Sequence, residues 1–390
     1  MSPRRVYLDH NATTAVRPAV IAAMAEALAE VGNPSSVHAE GRAKRALVER
    51  ARAEVAALVG ARADGVVFTS GGTEASNLAL TPAIRDPRDP RPVTRLAASA
   101  VEHPAVRAGA RFSPDAVETI PVDRRGVIDL DALEAAFARH AAARPRERMM
   151  LALMVANNET GVIQPVAAAA AIVKRHGGLI HADAVQAAGK IPVDIGALGC
   201  DFLAIAAHKF GGPAGVGALV RAEEGLFVES PIVRGGGQEK GWRGGTESVA
   251  AIAGFAVAAR EAAAGLGAFA DLGPLRDRIE RALAEFGPLT VFGAGAPRLP
   301  NTSCFALQGV TSQHALMALD LAGIAVSAGS ACSSGATKAS PVLDAMGISP
   351  DLAQGMVRVS LGWTSTAAEA ERFIAAFGEI ARRAAARGAA

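Results

Sequence analysis

"DFLAIAAHKFGG", residues 201–212, decides how this chain folds. Six of its first seven residues are apolar. A run that short, with an aspartate before it and glycines after, reads as a strand buried on both faces. It ends on His208 and Lys209, so the lysine emerges directly from the core. The neighbouring stretches follow the same rule. "VGALV" (216–220) and "GLIHADAVQ" (178–186) read as strands. Residues 166–177 read as a helix stopped by glycine. "MMLALMVANNETG" (149–161), "VTRLAASAVEHPAV" (93–106) and "GVVFT" (65–69) each read as a strand leading into a polar turn. Strand–helix alternation of this kind predicts a mostly parallel sheet covered on both faces. Ligands of such sheets bind at the carboxyl ends of the strands. Here those ends carry Thr73, His103, Asn157, Asp183 and Lys209.

Residues 17–60 read as alanine-rich helices broken by "VGNPSSVH" at 31–38. After about residue 260 the pattern changes. A helix at 272–286, a strand near 302–307, a helix at 312–322, a strand within 355–363 and a final helix predict a smaller α+β unit. The expected division is a large domain over 15–260 and a small domain made of 1–14 and 261–390.

Composition narrows the class. At 390 residues the chain is too long for one ordinary core. Half of it is hydrophobic but only 4% is aromatic, so its cores are built from small aliphatic side chains. Forty basic residues nearly balance 38 acidic ones, and no basic block stands out. Neither nucleic acid nor an acidic membrane is an expected partner. Three scattered cysteines, Cys200, Cys304 and Cys332, make no disulfide framework and fit a reducing compartment. The N-terminus has arginines but no apolar stretch of a secretory signal, and "VAAIAGFAVAA" (249–259) is shorter than the ~20 residues a membrane span needs. The expected location is the cytoplasm.

Some stretches carry chemistry. "SGGTEASN" (70–77) lies between a strand and a helix. Its free N–H groups suit an anion, although an ordinary N-cap turn has the same look. Lys209 is either a solvated charge or an amine of lowered pKa able to form a Schiff base. Asp183 lies 26 residues before it, one strand-to-strand step away. The two form either a buried ion pair or the acid and amine that hold pyridoxal phosphate. "VSAGSACSSG" (326–335) surrounds Cys332 with small residues. It reads as loop filler or as a nucleophile with little to hold it in place.

Taken in order, "YLDHNATT" (7–14), "GNPSSVH" (32–38), "VVFTSGGTEASN" (66–77), "EH" (102–103), "VANNETG" (155–161), "HADAVQAAGK" (181–190), "AHKFGGPAGVGAL" (207–219), "GGGQE" (235–239), "RGGTE" (243–247), "SAGSACSSG" (327–335) and "VRVSLG" (357–362) span nearly the whole chain. By these motifs the sequence resembles the cysteine desulfurases of the aminotransferase class-V group, pyridoxal-phosphate enzymes of the aspartate-aminotransferase-like (fold type I) α/β architecture. The resemblance implies a role for each matching residue. Lys209 bonds the cofactor aldehyde, Asp183 meets the pyridine nitrogen and His103 stacks on the ring and shuttles protons. Gln186 donates to the phenolic oxygen, and Gly72, Thr73 and His208 cradle the phosphate. Thr246 reaches the phosphate of a neighbouring subunit, which implies a homodimer. Asn157 lies near the substrate amine and ring oxygen, and Arg358 clamps the carboxylate of L-cysteine. The resemblance further implies that Cys332 takes the sulfur as a persulfide, leaving L-alanine. It then delivers that sulfur to an acceptor or iron–sulfur scaffold protein, with transient bridging of a nascent cluster from Cys332. Selenocysteine lyase and cysteine sulfinate desulfinase are the alternatives on the same scaffold. A non-enzymatic phosphate-binding module is the alternative from another class. Two positions depart from the family pattern. Ala206 stands where a serine commonly donates to the phosphate, and Lys240 stands where arginine is frequent.

Overall fold

The computed structural model describes residues 5–108, 111–328 and 340–388. Its main sheet has seven strands: Val66–Thr69 (β1), Val93–Ser99 (β2), Val117–Ile120 (β3), Arg148–Met154 (β4), Leu179–Asp183 (β5), Phe202–Ala206 (β6) and Gly217–Arg221 (β7). Across the sheet the order is β1-β7-β6-β5-β4-β2-β3. The neighbours from β6 to β3 pair in parallel. β7 alone is reversed, antiparallel to both β6 and β1.

The strands read as continuous apolar runs because both faces are covered. Alternate residues fall into separate cores, as the two-residue period of a strand requires. Leu203 and Ile205 of β6 pack in the same cluster as Val55, Val173 and Phe255. These come from Ala39–Leu58 (α2), Val166–Arg175 (α5) and Val249–Ala264 (α6), the labels α1, α3 and α4 belonging to Pro18–Ala29, Gly72–Ala79 and Leu130–Ala143. Phe202 and Ala204 face the other way, toward Ala75, Leu78 and Ala79 of α3. Gly177 ends α5 at φ 70°, a left-handed conformation open to glycine at little cost.

A second sheet is formed by Leu289–Val291 (β8), Thr302–Leu307 (β9) and Val357–Ser360 (β10), all antiparallel. Leu272–Ala284 (α7), Ser312–Leu321 (α8) and Ala367–Gly388 (α9) accompany it. Phe305, Val357, Phe373 and Phe377 share its core with Val6 and Leu8 from the N-terminal segment. That segment also pairs Val6–Tyr7 in parallel with Ile324–Ala325. Among the described residues no single helix is long and apolar enough to cross a membrane.

Strand order positions the site. β6, β5, β4 and β2 are consecutive in the sheet, so the residues following their carboxyl ends converge on one edge. The glycine turn after β1 is brought to the same edge across β7. That strand begins with Gly217, where a Cβ would come within 2.8 Å of the Gly71 Cα and 2.6 Å of the Ile205 oxygen. The missing side chain lets the turn lie against the sheet.

Candidate active site

A cavity of about 420 Å³ opens at this edge. Gly72, Thr73, His103, Asp183, Gln186, Ala206, His208, Lys209 and Arg358 all line it. Residues far apart in sequence are therefore neighbours in space, as an active site on a parallel sheet requires.

Lys209 enters from a short turn after β6. Its amine donates to the main-chain oxygens of Asn11 at 2.6 Å and Ala12 at 2.9 Å. Burial, then the Arg358 charge, lower its pKa to about 8, against the opposite pull of Asp183 and Asp9. Asp183 ends β5, with one oxygen accepting from the Val185 N–H at 2.9 Å. Burial raises its pKa although the Val185 N–H, His103 and Lys209 all oppose the shift. His103 projects into the open cavity, and its Nδ1 accepts from the Ala105 N–H at 3.2 Å. In the neutral ring the proton then sits on Nε2. Desolvation by the cavity wall lowers its pKa. His208 meets the Thr13 hydroxyl at 3.3 Å, and burial followed by Lys209 and Lys190 lowers it to about 4.

Arg358 comes from β10 and is 5% exposed. It donates to Asp9 Oδ1 at 2.6 Å and to the Asn158 oxygen at 2.9 Å. Its Nε is buried with no partner among the described residues. An arginine that lines a cavity with donor capacity still unspent suits a carboxylate.

The aminotransferase class-V family model matches residues 6–373. A cysteine desulfurase from Cereibacter sphaeroides is 43% identical over 378 residues, covering 95% of this chain and 94% of the relative. An IscS-like cysteine desulfurase from Mycobacterium tuberculosis is 40% identical over 373 residues, covering 94% and 93%. The chain belongs to the cysteine desulfurases of the aminotransferase class-V family. Its fold agrees: the structure of a NifS-like protein from Rickettsia africae superposes with a TM-score of 0.85 at 34% identity, covering 97% of this chain and 99% of that one. The architecture is therefore fold type I, as the motifs imply.

Cysteine desulfurases of this family depend on pyridoxal phosphate, and the residues present fit that group. No side chain caps the N-terminus of α3, and a Cβ on Gly71 would meet nothing within 4 Å. The first turn thus offers N–H groups and open space for a phosphate. The raised carboxyl of Asp183 is of the kind that a cationic nitrogen brings back to ionisation. The lowered amine of Lys209 is of the kind that attacks an aldehyde.

Other sequence-identified residues lie elsewhere. Asn157 is 1% exposed, and its amide holds its own turn. Oδ1 accepts from the Glu159 and Thr160 N–H groups, both at 2.9 Å, and Nδ2 donates to the Val101 oxygen at 3.0 Å. The cavity wall at this point is made by Ala156, Asn158 and Glu159. Thr246 is exposed and lines a separate cavity of about 150 Å³ with Phe68, Ser70 and Arg243. Cys332 lies outside the described residues. Cys200 and Cys304 are buried free thiols whose pKa values burial raises, to about 12 for Cys200.

Sequence reasoning passed over Asn11, Asp9, Glu102 and Lys190. The first two sit within "YLDHNATT", the others in "EH" and "HADAVQAAGK", so motif membership was the available signal. Glu102 accepts from the Met154 N–H at 2.7 Å, and its other oxygen is buried without a partner among the described residues. Burial raises its pKa well above the ordinary value. It lines the cavity as a carboxyl prone to stay protonated.

Proposed function

We propose that this chain, as a homodimer in the cytoplasm, binds pyridoxal phosphate on Lys209 and moves the sulfur of L-cysteine to Cys332. From there the sulfur passes to an acceptor protein that builds iron–sulfur clusters or thio-cofactors. The observation that carries the reading is the convergence of the Lys209 amine, its pKa lowered to about 8, with Asp183, Gln186, His103 and Arg358 in one cavity. The cytoplasmic location draws on the free thiols at Cys200 and Cys304.

The bound cofactor would supply an electron sink for the pair released when the substrate's C–S bond breaks. Lys209 would hold it through its free amine and would carry protons to and from the substrate carbon. Asp183 would hold the pyridine nitrogen in its protonated form. His103, which lines the cavity with its proton on Nε2, would move protons beside the bound cofactor. Gly72, Thr73 and His208 receive the phosphate. Thr246 of one copy completes the phosphate site of the other, which accounts for its exposure here. Arg358, which lines the cavity, takes the substrate carboxylate through its guanidinium. Asn157 shapes the wall by holding the 157–160 turn. The Cys332 thiolate attacks the substrate sulfur, so an S–S bond forms as the C–S bond breaks. The carbon is then protonated and leaves as alanine. In a later step the Cys332 sulfur bridges a nascent cluster transiently. Residues 15–260 would be the cofactor-binding unit, with 1–14 and 261–390 forming the smaller one. The shared core of Val6, Leu8, Phe305 and Phe377 supports that division.

The test begins with colour. The purified protein should be yellow, and borohydride should fix the cofactor on Lys209. In stripped protein the rate of attachment should rise as pH increases through about 8, because the amine is protonated below its pKa and free above it. Cys332→Ser should keep the colour and lose sulfide release. A colourless protein that cannot be reconstituted, or a Cys332→Ser enzyme of normal rate, sinks the reading.

A further inference from the structure

Lysine is seldom buried without an acidic partner, because its charge is then left without compensation. Lys190 is an exception at 3% exposure. Its amine reaches two neutral oxygens, Asn11 Oδ1 at 2.8 Å and Gln186 Oε1 at 2.7 Å. The charged groups facing it, Lys209 and Arg358, are both cations. It in turn bears on the imidazoles of His10 and His208. Burial and those cations push its pKa well below the ordinary value. Neutralising a carboxylate is therefore not its purpose. It does not line the large cavity either.

What Lys190 does is hold amides. A glutamine side chain can sit in either of two orientations that differ by exchange of oxygen and nitrogen. Here Gln186 Oε1 accepts from Lys190, and Nε2 donates to the Asn11 main-chain oxygen at 2.9 Å. The reverse orientation would set the glutamine oxygen against the Asn11 oxygen, acceptor to acceptor. It would also turn the NH₂ toward the lysine amine. The Asn11 oxygen matters because it is also the acceptor for Lys209 Nζ at 2.6 Å. The Asn11 side chain is held by Lys190 and by Asn301 on its oxygen, and by Asn158 and Thr302 on its nitrogen. A chain of hydrogen bonds thus runs from Lys190 through Gln186 and Asn11 to Lys209.

We infer that Lys190 is a positioning residue, fixing the orientation of Gln186 and of Asn11 so that Gln186 presents N–H groups beside Lys209. This rests on the proposed attachment of pyridoxal phosphate to Lys209, whose phenolic oxygen would need such a donor. Without Lys190, Gln186 Oε1 is left buried without a donor, a cost that weakens the hold on this orientation of the amide.

The experiment titrates stripped protein with pyridoxal phosphate and reads absorbance, borohydride fixation and the urea midpoint of the apoprotein. Lys190→Met should weaken cofactor affinity by about tenfold, the worth of roughly one hydrogen bond to a buried group. Lys190→Gln, which keeps an N–H donor, should recover most of it. In a Gln186→Ala background the Lys190→Met change should add no further loss, since the partner it acts through is gone. Unchanged affinity with only a lowered urea midpoint would overturn the inference, and so would a full loss persisting beside Gln186→Ala. Should Lys190→Met not fold, Gln186→Glu decides. It offers an oxygen whichever way it turns, so wild-type affinity in that variant overturns the inference and a tenfold loss supports it. A wild-type protein that takes up no cofactor would instead count against the proposed function.

Discussion

Two buried arginines show the difference between a pair that holds the fold and one that waits for a ligand. Arg52 on α2 meets Glu239 with two contacts, at 2.7 and 2.9 Å. A third N–H···O bond joins its Nη1 to the Val66 oxygen, and the Phe68 N–H donates to the same Glu239. Its guanidinium also lies 4.9 Å from the Phe68 ring centre. Burial opposes the Arg52 charge, yet Glu239 and Glu49 more than offset it and its pKa is raised. Arg358 meets Asp9 with one contact, and its buried Nε has no partner among the described residues. Both clusters border a cavity, of about 380 Å³ and about 420 Å³, but the first is satisfied within itself while the second keeps a nitrogen without a partner among the described residues. Closure even sustains an awkward backbone: Glu239 and Lys240 sit at φ 47° and 53°, which side chains other than glycine adopt at some cost. A satisfied charge serves stability. An incompletely satisfied one serves binding.

Removing one partner from each pair should therefore produce losses of different kinds. Glu239→Gln leaves the Arg52 charge buried with only the mostly exposed Glu49 nearby. Stability should fall by about 3 kcal/mol, the low end for breaking a buried pair because Glu49 remains. Urea unfolding would measure it, and borohydride fixation on Lys209 should be unaffected. Loss of cofactor attachment without loss of stability would show that the closed cluster serves the site after all.

Arg358→Gln should give the opposite result. The substrate carboxylate loses charged hydrogen bonds, so kcat/KM for L-cysteine should drop roughly a hundredfold, mainly through KM. The urea midpoint should move less than in Glu239→Gln, because Asp9 keeps some solvent contact at 19% side-chain exposure. A variant with unchanged KM would remove Arg358 from the substrate's path.

The contrast also explains what the sequence could reveal. Periodicity gives the sheet, since β4, β5 and β6 are apolar runs whose alternate residues fill two cores. Polar residues just past those runs mark the site, so Asp183 and Lys209 are readable by position. The reversal of β7 is invisible in "VGALV", because a strand buried on both faces looks alike in either direction. The hydrogen-bond chain through Asn11, Gln186 and Lys190 is invisible for another reason. Asn11 and Gln186 stand 175 positions apart, and no local spacing shows which amide oxygen meets which donor. Asn157 shows the converse. Its motif marks a site, but its amide is consumed by its own turn.

The smallest expected effect sharpens the comparison most. Ala206 ends β6 and lines the cavity with a methyl group, 3.7 Å from where a Cβ on Gly72 would stand. Unlike the Arg52 cluster, where each donor has an acceptor, the Ala206 side chain adds nothing polar for a phosphate at the glycine turn. Ala206→Ser adds one hydroxyl there. Pyridoxal-phosphate affinity should rise about fivefold, equivalent to roughly one ordinary hydrogen bond, while the apoprotein's urea midpoint stays within ~0.5 kcal/mol of wild type. Isothermal titration of stripped protein would measure the change. A gain confined to the loaded protein means the new hydroxyl meets the cofactor. A gain in the apoprotein alone means it has found a main-chain partner, and the phosphate then lies elsewhere in the cavity.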